Sequence, residues 1–351
     1  MTFSEYWYKQ FPNGLPPAIE RQHYVPVKYL EAWRTGRKIA MKSKSTEPKM
    51  VGLRDVMVES WFYEFPRLNL AELETIIDVM DIKSEYERKS FALFIGLSVV
   101  QDIAGRLAFN KMDGEGELML NVLRSKGLYD EVCERSFMIK QTALHRNQEL
   151  YSRGYEILRR NGAEKLMSAI EHNAWPLLDK AVRGEGHFLK EPSEFIGIVE
   201  YLFLQMYRTP RLDYVFSQTA KGKDVPVDFA KNMIPYLRII FAIKATHRVL
   251  TSIINYEFLL VRNKSGVNFI TGDYPFAHLT DYKLDSDFVF PVSPKYAIYL
   301  GEKGCLKREY GYLLNPTAKT VCDINEKIAM SAVRQVLANN VSELADVKVG
   351  V

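Results

Sequence analysis

The sequence lacks the features that identify several large classes of protein. Its 351 residues include only three cysteines, Cys133, Cys305 and Cys322, and no C-x-x-C pair, so neither a disulfide framework nor a zinc knuckle is expected. The most apolar run, Phe91–Val100, is shorter than the roughly 20 residues that a membrane-spanning helix needs. The chain also has little excess charge: 47 basic and 43 acidic side chains leave +4, too little to indicate a nucleic-acid partner by itself.

Established catalytic motifs are missing as well. The chain has no G-x-x-x-x-G-K loop, no dinucleotide glycine fingerprint, no H-E-x-x-H and no G-x-S-x-G, which excludes P-loop ATPases, Rossmann dehydrogenases, zincin proteases and typical α/β-hydrolases. The first ten residues carry Glu5 and Lys9 and lack the apolar core of a secretory signal. We therefore expect a cytoplasmic protein that does not bind a membrane.

The spacing of apolar residues changes twice along the chain. Ile39 and Met41 alternate with more polar residues, which predicts a half-exposed strand over Lys38–Lys44. Helical spacing then predicts helices over Phe91–Phe109, Leu128–Arg160, Glu164–Asn173, Pro192–Arg208 and Phe229–Ile254. Aromatic and β-branched runs predict strands over Tyr256–Val261, Val267–Thr271, Phe288–Val292 and Tyr296–Leu300, followed by a closing helix over Thr317–Ala338.

These patterns predict an α+β fold that is predominantly helical. A large helical body at residues 66–255 follows an N-terminal motif segment at 1–65 and precedes a strand-rich segment with a closing helix at 256–351. Because a lone strand is only marginally stable, Lys38–Lys44 is expected to join one sheet with Val267–Thr271 and Phe288–Val292. The three segments then form one integrated domain with a small mixed sheet.

Two polar residues at the ends of predicted elements are candidate catalytic residues. His23 precedes a proline that can start a helix, where an imidazole can serve as a base or a metal ligand; the alternative is a packing histidine. Asp273 follows an apolar strand, which would fix a functional carboxylate in a loop; the alternative is an ordinary turn residue. We expect His23 and Asp273 to share a pocket in which they hold a divalent metal such as Mg²⁺, a water or a hydrogen bond.

A second pair of candidates lies at the predicted end of a helix. Gln205 and Arg208 are three residues apart and share a helix face, while Pro210 ends the helix. A guanidinium beside an amide suits a phosphate or a carboxylate. The alternative is an arginine that caps the carbonyls of the helix C-terminus. In both cases Arg208 is expected to be buried and hydrogen-bonded or to face a cleft.

The N-terminal segment is locally basic. Between Arg34 and Arg54 seven basic residues stand against the single acid Glu47, a pattern that can track a phosphate backbone. Lysines on an edge strand also prevent aggregation between sheets, and this alternative stays open. The candidate substrate-binding residues are Arg34, Arg37, Lys38, Lys42 and Lys44, together with Tyr24 and Tyr274.

Four short motifs in a fixed order suggest a family. They are His23–Pro26 with Tyr29 and Leu30, then Gln205 with Arg208–Pro210, then Phe269–Pro275, and finally Pro291–Pro294. Together they resemble the bacterial family called domain of unknown function 4238, over nearly the whole chain. Gly272 and Val27 depart from the serine and the polar residue that the family pattern has there. The family name carries no activity, so the resemblance supports the architecture and the choice of His23, Gln205, Arg208 and Asp273.

Besides an interaction scaffold in which the motifs are purely structural, two functions are consistent with these residues. The first is a hydrolase of phosphodiesters, a nuclease in a bacterial toxin or phage-defence system, in which Asp273 and His23 hold a metal or act as base while Arg208 and Gln205 bind a phosphate. The basic N-terminal stretch would then bind nucleic acid. The second is a non-catalytic sensor that binds a nucleotide or a phage component and acts through a partner protein.

Overall fold

The computed structural model describes residues 19–109, 114–144, 148–223, 225–280 and 287–350. More than half of the chain is helical and a smaller part is strand, and small sheets are built from N-terminal and C-terminal strands, which confirms the predicted α+β, mostly helical class. Within the described residues no helix is both long enough and apolar enough to cross a membrane.

The helices are numbered in chain order. They are α1 (Val27–Leu30), α2 (Leu70–Met80), α3 (Glu85–Phe109), α4 (Gly114–Ser125), α5 (Glu131–Leu144), α6 (Gln148–Val182), α7 (Pro192–Tyr207), α8 (Pro210–Lys221), α9 (Val227–Thr251), α10 (Cys305–Arg308) and α11 (Ala318–Ser331). The strands are β1 (Arg21–His23), β2 (Lys38–Ser43), β3 (Lys49–Gly52), β4 (Val58–Ser60), β5 (Tyr256–Arg262), β6 (Thr271–Gly272), β7 (Ala277–His278), β8 (Phe288–Ser293), β9 (Tyr296–Glu302) and β10 (Gln335–Ala338).

The contacts divide the chain into two compact units, each built from separate stretches of sequence. Unit 1 contains residues 19–22, 60–167 and 219–244 of the described chain, and unit 2 contains 23–59, 168–218 and 245–350. The chain crosses from one unit to the other inside both β1 and β4. Unit 2 therefore holds the N-terminal motifs and the strand-rich C-terminal segment, whereas the helices divide between the two units.

Most of the regular structure of unit 1 is helical. Helix α2 begins at a capping box: the Asn69 side chain accepts from the Glu72 backbone N–H at 2.9 Å, and the Glu72 carboxylate accepts from the Asn69 N–H. Phe65, Phe94 and Tyr236 form a buried aromatic cluster with ring centroids 5.0–6.0 Å apart. Apolar burial of this kind, rather than helix propensity, provides most of the stability of such helices.

Two sheets belong to unit 2. One has the strand order β3-β2-β10-β6, and the other has the order β5-β9-β8-β7. The expected pairing of the N-terminal strand with the C-terminal segment is confirmed, because β2 and β6 both pair with β10. The expectation that Phe288–Val292 joins the same sheet is wrong, since β8 pairs with β7 and β9 in the second sheet. The edge strand of this sheet is β3, which carries Lys49 of the basic stretch, whereas β2 lies inside the sheet.

The closing helix is shorter than the sequence predicts. Helix α11 ends at Ser331, and residues 335–338, expected to continue it, form β10 at the centre of the first sheet. The apolar residues Val336 and Leu337 fit either period, because in a short segment a helical stripe and a buried strand look alike. They are fully buried as strand residues, paired with β2. Strand β10, which the sequence predicts as helix, holds Asp273 in position.

Candidate functional site

The first two sequence motifs meet at Tyr24. This residue follows β1, is 1% exposed, and donates its backbone N–H to the Met57 carbonyl at 3.0 Å. Its own carbonyl accepts from the Gln205 side-chain Nε2 at 3.2 Å. Gln205 lies near the end of α7, so the amide fixes the start of α1 against that helix. Both residues belong to unit 2 although 181 positions separate them.

Arg208 is buried and fully engaged, as the sequence predicts. Its Nε and Nη2 donate to the Gln205 Oε1 at 2.9 and 2.5 Å, and its Nη1 donates to the Glu171 Oε1 at 2.5 Å. The guanidinium is 1% exposed and the Glu171 side chain 18% exposed, so this ion pair is shielded from water. A chain of hydrogen bonds therefore runs from α6 through Arg208 and Gln205 to Tyr24. This geometry supports the structural alternative for Arg208 more than phosphate binding.

Asp273 is completely buried directly after β6. One carboxylate oxygen accepts from the Val333 N–H at 2.9 Å, and the other accepts from the Arg334 and Gln335 N–H groups at 2.5 and 3.1 Å. Three consecutive N–H groups form a concave anion site of the kind that binds small anions, and here a side chain fills it. Burial raises the pKa of Asp273 to about 6, against the opposing effect of these hydrogen bonds and of the Arg334 charge.

The Asp273 turn contacts the ring end of Tyr24. The Gln335 Nε2 lies 3.2 Å from the Tyr24 hydroxyl, and the Arg334 guanidinium carbon lies 5.7 Å from the centre of the Tyr24 ring. Burial, followed by the charge of Asp273, raises the pKa of the Tyr24 hydroxyl above its ordinary value. Arg334 also donates to Glu59 at 2.6 Å, and both of these side chains are about two-fifths exposed. This end of the network reaches solvent.

His23 is the last residue of β1, directly before Tyr24, and it is half-buried. The structure thus brings the segments of Gln205, Arg208 and Asp273 together around Tyr24, which the sequence predicts only as a substrate-binding residue. The expected pocket shared by His23 and Asp273, and the catalytic roles of all four residues, stay predictions.

The expected magnesium pair does not have a suitable donor set. Mg²⁺ prefers an octahedron of oxygen ligands, whereas this pair supplies one imidazole and a carboxylate that already accepts three N–H groups. In the part of the chain that the structure describes, no group of three or more His, Cys, Asp or Glu side chains is placed to hold a metal ion. We therefore assign no chemical step to a metal at these residues.

The N-terminal motif and the turn after it also hydrogen-bond to the two C-terminal motifs. The Tyr29 hydroxyl lies 2.8 Å from the Thr271 Oγ1 and donates to the Pro291 carbonyl at 2.7 Å. The Trp33 Nε1 donates to the Phe269 carbonyl at 3.2 Å. Helix α1 and the helical turn after it are therefore fastened to both sheets of unit 2, and the family motifs contact one another directly.

A cavity of about 220 Å³ opens beside α1 in unit 2. Its lining combines aromatic, basic and acidic side chains, among them Lys28, Tyr29, Glu31, Arg34, Trp175 and Asp179. Trp175 is half-buried and packs on Tyr201 with ring centroids 5.6 Å apart. The Lys28 Nζ lies 4.0 Å from Glu31 and 3.9 Å from Asp179, the limit of ion-pair distance, and Arg34 is exposed. These cations remain available to a ligand.

The remaining predicted substrate-binding residues behave differently from one another. Arg37, Lys38 and Lys44 are exposed. The Lys42 Nζ instead donates to the carbonyls of Leu344 and Ala345 at 3.1 and 2.8 Å, where it caps a short helical turn. Tyr274 is 5% exposed, and its hydroxyl lies 2.6 Å from the His278 Nε2. Lys42 and Tyr274 therefore have structural partners, whereas Arg37, Lys38 and Lys44 are exposed to solvent.

Sequence reasoning missed the wall of this cavity. Trp175 and Asp179 line the cavity from α6, and with Glu171, the partner of Arg208, they recur at intervals of four on one helix face. The predicted helix stops at Asn173 although α6 runs to Val182 through Pro176. Proline is normally a helix-breaking signal, which explains the early end.

Comparison with known proteins identifies a family and nothing closer. A family model described as "Protein of unknown function (DUF4238)" matches residues 21–342, nearly the whole chain. No curated protein and no solved structure is similar enough to be matched.

Proposed function

This chain belongs to the DUF4238 family, and we propose that it binds nucleic acid, or a nucleotide, at the unit 2 cavity beside α1. The observation that carries the proposal is the lining: the half-buried ring of Trp175 lies with the cations of Lys28 and Arg34. Aromatic rings that stack bases and cations that follow phosphates are the usual elements of single-strand binding. We place this activity in a bacterial cytoplasm.

The roles of the lining residues follow from their chemistry. A base stacks on Trp175, whose other contact, with Tyr201, holds the ring in place. Lys28 and Arg34 bind the flanking phosphates, while the carboxylates of Glu31 and Asp179 accept hydrogen bonds from sugar hydroxyls. The exposed Arg37 and Lys38 follow Arg34 in the chain and extend the cationic surface. A cavity of this size holds one nucleotide residue rather than a longer segment.

The buried network favours ligand binding without catalysis as the function. Arg208 and Asp273 already have protein partners for their charges, so Arg208 offers no free cation to a phosphate and Asp273 offers no free carboxylate to a metal ion. We therefore propose a sensor that signals ligand binding to a partner protein.

Phosphodiester hydrolysis, in a toxin or phage-defence nuclease, is the second candidate. It is favoured by the elevated pKa of Asp273, about 6, which suits an acid–base group near neutral pH. In this candidate the cavity and the basic surface bind the strand, and a proton moves at Asp273 or His23.

Fluorescence anisotropy with a labelled single-stranded hexanucleotide tests the binding. We expect saturable binding that Trp175→Ala weakens about tenfold, the effect of losing one stacked base. Lys28→Ala/Arg34→Ala should weaken it as well. The matched control Lys264→Ala/Lys307→Ala, which removes two exposed lysines of the same unit, should bind as wild type. Absence of binding, or equal losses in both double variants, contradicts the proposal.

The same oligonucleotide distinguishes the sensor from the hydrolase. Incubation with Mg²⁺, with Mn²⁺ and with a chelator, followed by gel electrophoresis, reveals any cleavage. A sensor leaves the strand intact in all three samples while anisotropy reports binding. Cleavage that His23→Ala and Asp273→Ala abolish, in variants that remain folded, identifies the hydrolase instead.

A further inference from the structure

We infer that unit 1 contains a second, independent ligand site, which takes a nucleoside monophosphate with its base inside the cavity and its phosphate at Arg67. The cavity has a volume of about 290 Å³ and lies among α3, α6 and the segment before α2. This size is at the lower end of the range for small-molecule sites, as a single nucleotide requires. The inference does not depend on the unit 2 cavity.

Aromatic rings form one wall of the unit 1 cavity. Tyr151 and Tyr155 are one helical turn apart on α6, with parallel rings whose planes differ by 4° and whose centroids are 6.2 Å apart. Phe109 lies 5.9 Å from Tyr151. All three rings line the cavity. A planar ligand can pack against such a wall, and stacking is tolerant of the identity of the base.

Gln101 supplies the specific hydrogen-bonding group. The residue is 6% exposed and lines the cavity from α3. Its backbone carbonyl accepts from the Tyr151 hydroxyl at 2.8 Å, but no described residue hydrogen-bonds its side-chain amide. The amide is not fully enclosed by protein, so its polar atoms face the open cavity, where water or a ligand can hydrogen-bond to them. An amide offers one donor and one acceptor, the pattern that pairs with the edge of adenine.

Asp102 holds the groups at the mouth of the cavity in place. Its carboxylate accepts from the Arg106 Nε at 2.8 Å and from the Tyr155 hydroxyl at 3.0 Å, and it lies 3.3 Å from the Arg67 Nε. Arg67 is 60% exposed, and its guanidinium lies 5.4 Å from the centre of the Tyr155 ring. Its Nη2 lies 3.9 Å from Glu156, and because most of the side chain is exposed, the guanidinium is open to a phosphate from the solvent side.

These groups select a ligand with three properties. It is planar, because it packs on the rings of Tyr151 and Phe109; it has adjacent donor and acceptor atoms, because it pairs with Gln101; and it is anionic at one end, because it meets Arg67. A purine nucleoside monophosphate has all three. Asp102 is a positioning residue here, since its carboxylate is already occupied by protein donors.

Isothermal titration calorimetry of the full chain tests the inference. Adenosine 5′-monophosphate is titrated into the Trp175→Ala variant, in which the unit 2 cavity binds about tenfold more weakly and contributes less of the heat. We expect saturable binding there, with adenosine and ribose 5-phosphate each binding at least tenfold more weakly. Gln101→Leu should weaken binding of the monophosphate at least tenfold without lowering the melting temperature, because it removes an unpartnered amide. The matched control Gln218→Leu, an exposed glutamine of unit 2, should bind normally.

The outcomes separate the two sites. Absence of binding to the Trp175→Ala chain, or binding unchanged by Gln101→Leu, overturns the unit 1 site and leaves the unit 2 proposal standing. Binding that Gln101→Leu removes and Trp175→Ala does not touch supports the unit 1 site alone. Should Gln101→Leu fail to fold, Arg67→Ala decides: it must weaken the monophosphate and leave adenosine unchanged, and equal affinity for the monophosphate overturns the inference.

Discussion

Two sets of charged residues in unit 2 differ in how their charges are satisfied. Arg208 and Asp273 are buried, and every charged end meets a protein partner within hydrogen-bond distance. Lys28 and Arg34 are exposed at a cavity, and the acidic neighbours of Lys28 lie at the limit of ion-pair distance. The first set occupies the family motifs, whereas the second lies beside them.

This difference distinguishes the charged residues that stabilise the fold from those that can bind a ligand. A buried ion pair is expensive to desolvate, and removal of one partner leaves an uncompensated charge. An exposed cation near a carboxylate contributes little to stability and can exchange its partner for a phosphate at small cost. Motif membership alone therefore does not identify the ligand-binding groups.

The largest effect is expected at Arg208. Arg208→Ala should lower the free energy of unfolding by about 3–5 kcal/mol, the usual consequence of removing one partner from a buried ion pair. The loss arises because the buried Gln205 Oε1 and the mostly shielded Glu171 carboxylate lose the guanidinium that donates to them. Denaturant unfolding followed by circular dichroism measures it.

Glu171→Gln provides the matched control for this change. It keeps a hydrogen-bond acceptor for Arg208 but removes the charge, so a smaller loss than in Arg208→Ala is expected. A folded Arg208→Ala protein with wild-type stability and no hexanucleotide binding would show instead that Arg208 is a ligand-binding residue.

The next largest effect is the dependence of folding stability on pH. Because burial raises the pKa of Asp273 to about 6, the folded protein keeps a proton that the unfolded chain releases near pH 4. The contribution of Asp273 to stability is therefore complete below about pH 4 and is lost as the pH rises through about 6. Between these values it should decline by up to about 3 kcal/mol in the wild type.

Asp273→Asn isolates this contribution because it removes the titrating group. Melting temperatures of both proteins are measured from pH 4 to pH 7, and the wild type is expected to lose stability relative to the variant across that range. A relative gain for the wild type would mean that the three N–H groups stabilise the anion more than burial opposes it.

A smaller effect distinguishes two lysines of the basic stretch. Lys42→Met should cost about 1 kcal/mol of stability, because the Nζ hydrogen bonds to Leu344 and Ala345 are lost, and should leave hexanucleotide affinity unchanged. Lys44→Met, at an exposed position, should leave stability unchanged within about 0.5 kcal/mol. Reversed results would place the structural lysine at residue 44.

Periodicity predicted the elements whose patterns are long. Helix α7 begins at Pro192, as predicted, and ends one residue before the predicted Arg208, because its apolar residues recur over four turns. Short elements are ambiguous: β10 has four residues, and Val336 and Leu337 fit a helix stripe as well as a strand. Its central position depends on pairing with β2, nearly 300 residues earlier, which no local pattern contains.

The candidate site was predictable in its residues and not in its chemistry. The sequence singled out Gln205, Arg208 and Asp273, and each makes specific polar contacts. Their partners, Glu171 and the N–H groups from Val333 onward, lie in segments that no motif marks. Whether a charge is satisfied or available depends on such partners, so it becomes visible only in the fold.

The salt dependence of hexanucleotide binding tests the central claim, that the exposed cations of the unit 2 cavity contact phosphates. Each phosphate contact with a single strand contributes about 0.7 to the slope of the logarithm of affinity against the logarithm of salt concentration. Loss of Lys28 and Arg34 should therefore make that slope shallower by about 1.4, while the Lys264→Ala/Lys307→Ala control keeps the wild-type slope. Equal slopes in the wild type and the Lys28→Ala/Arg34→Ala variant would contradict the account.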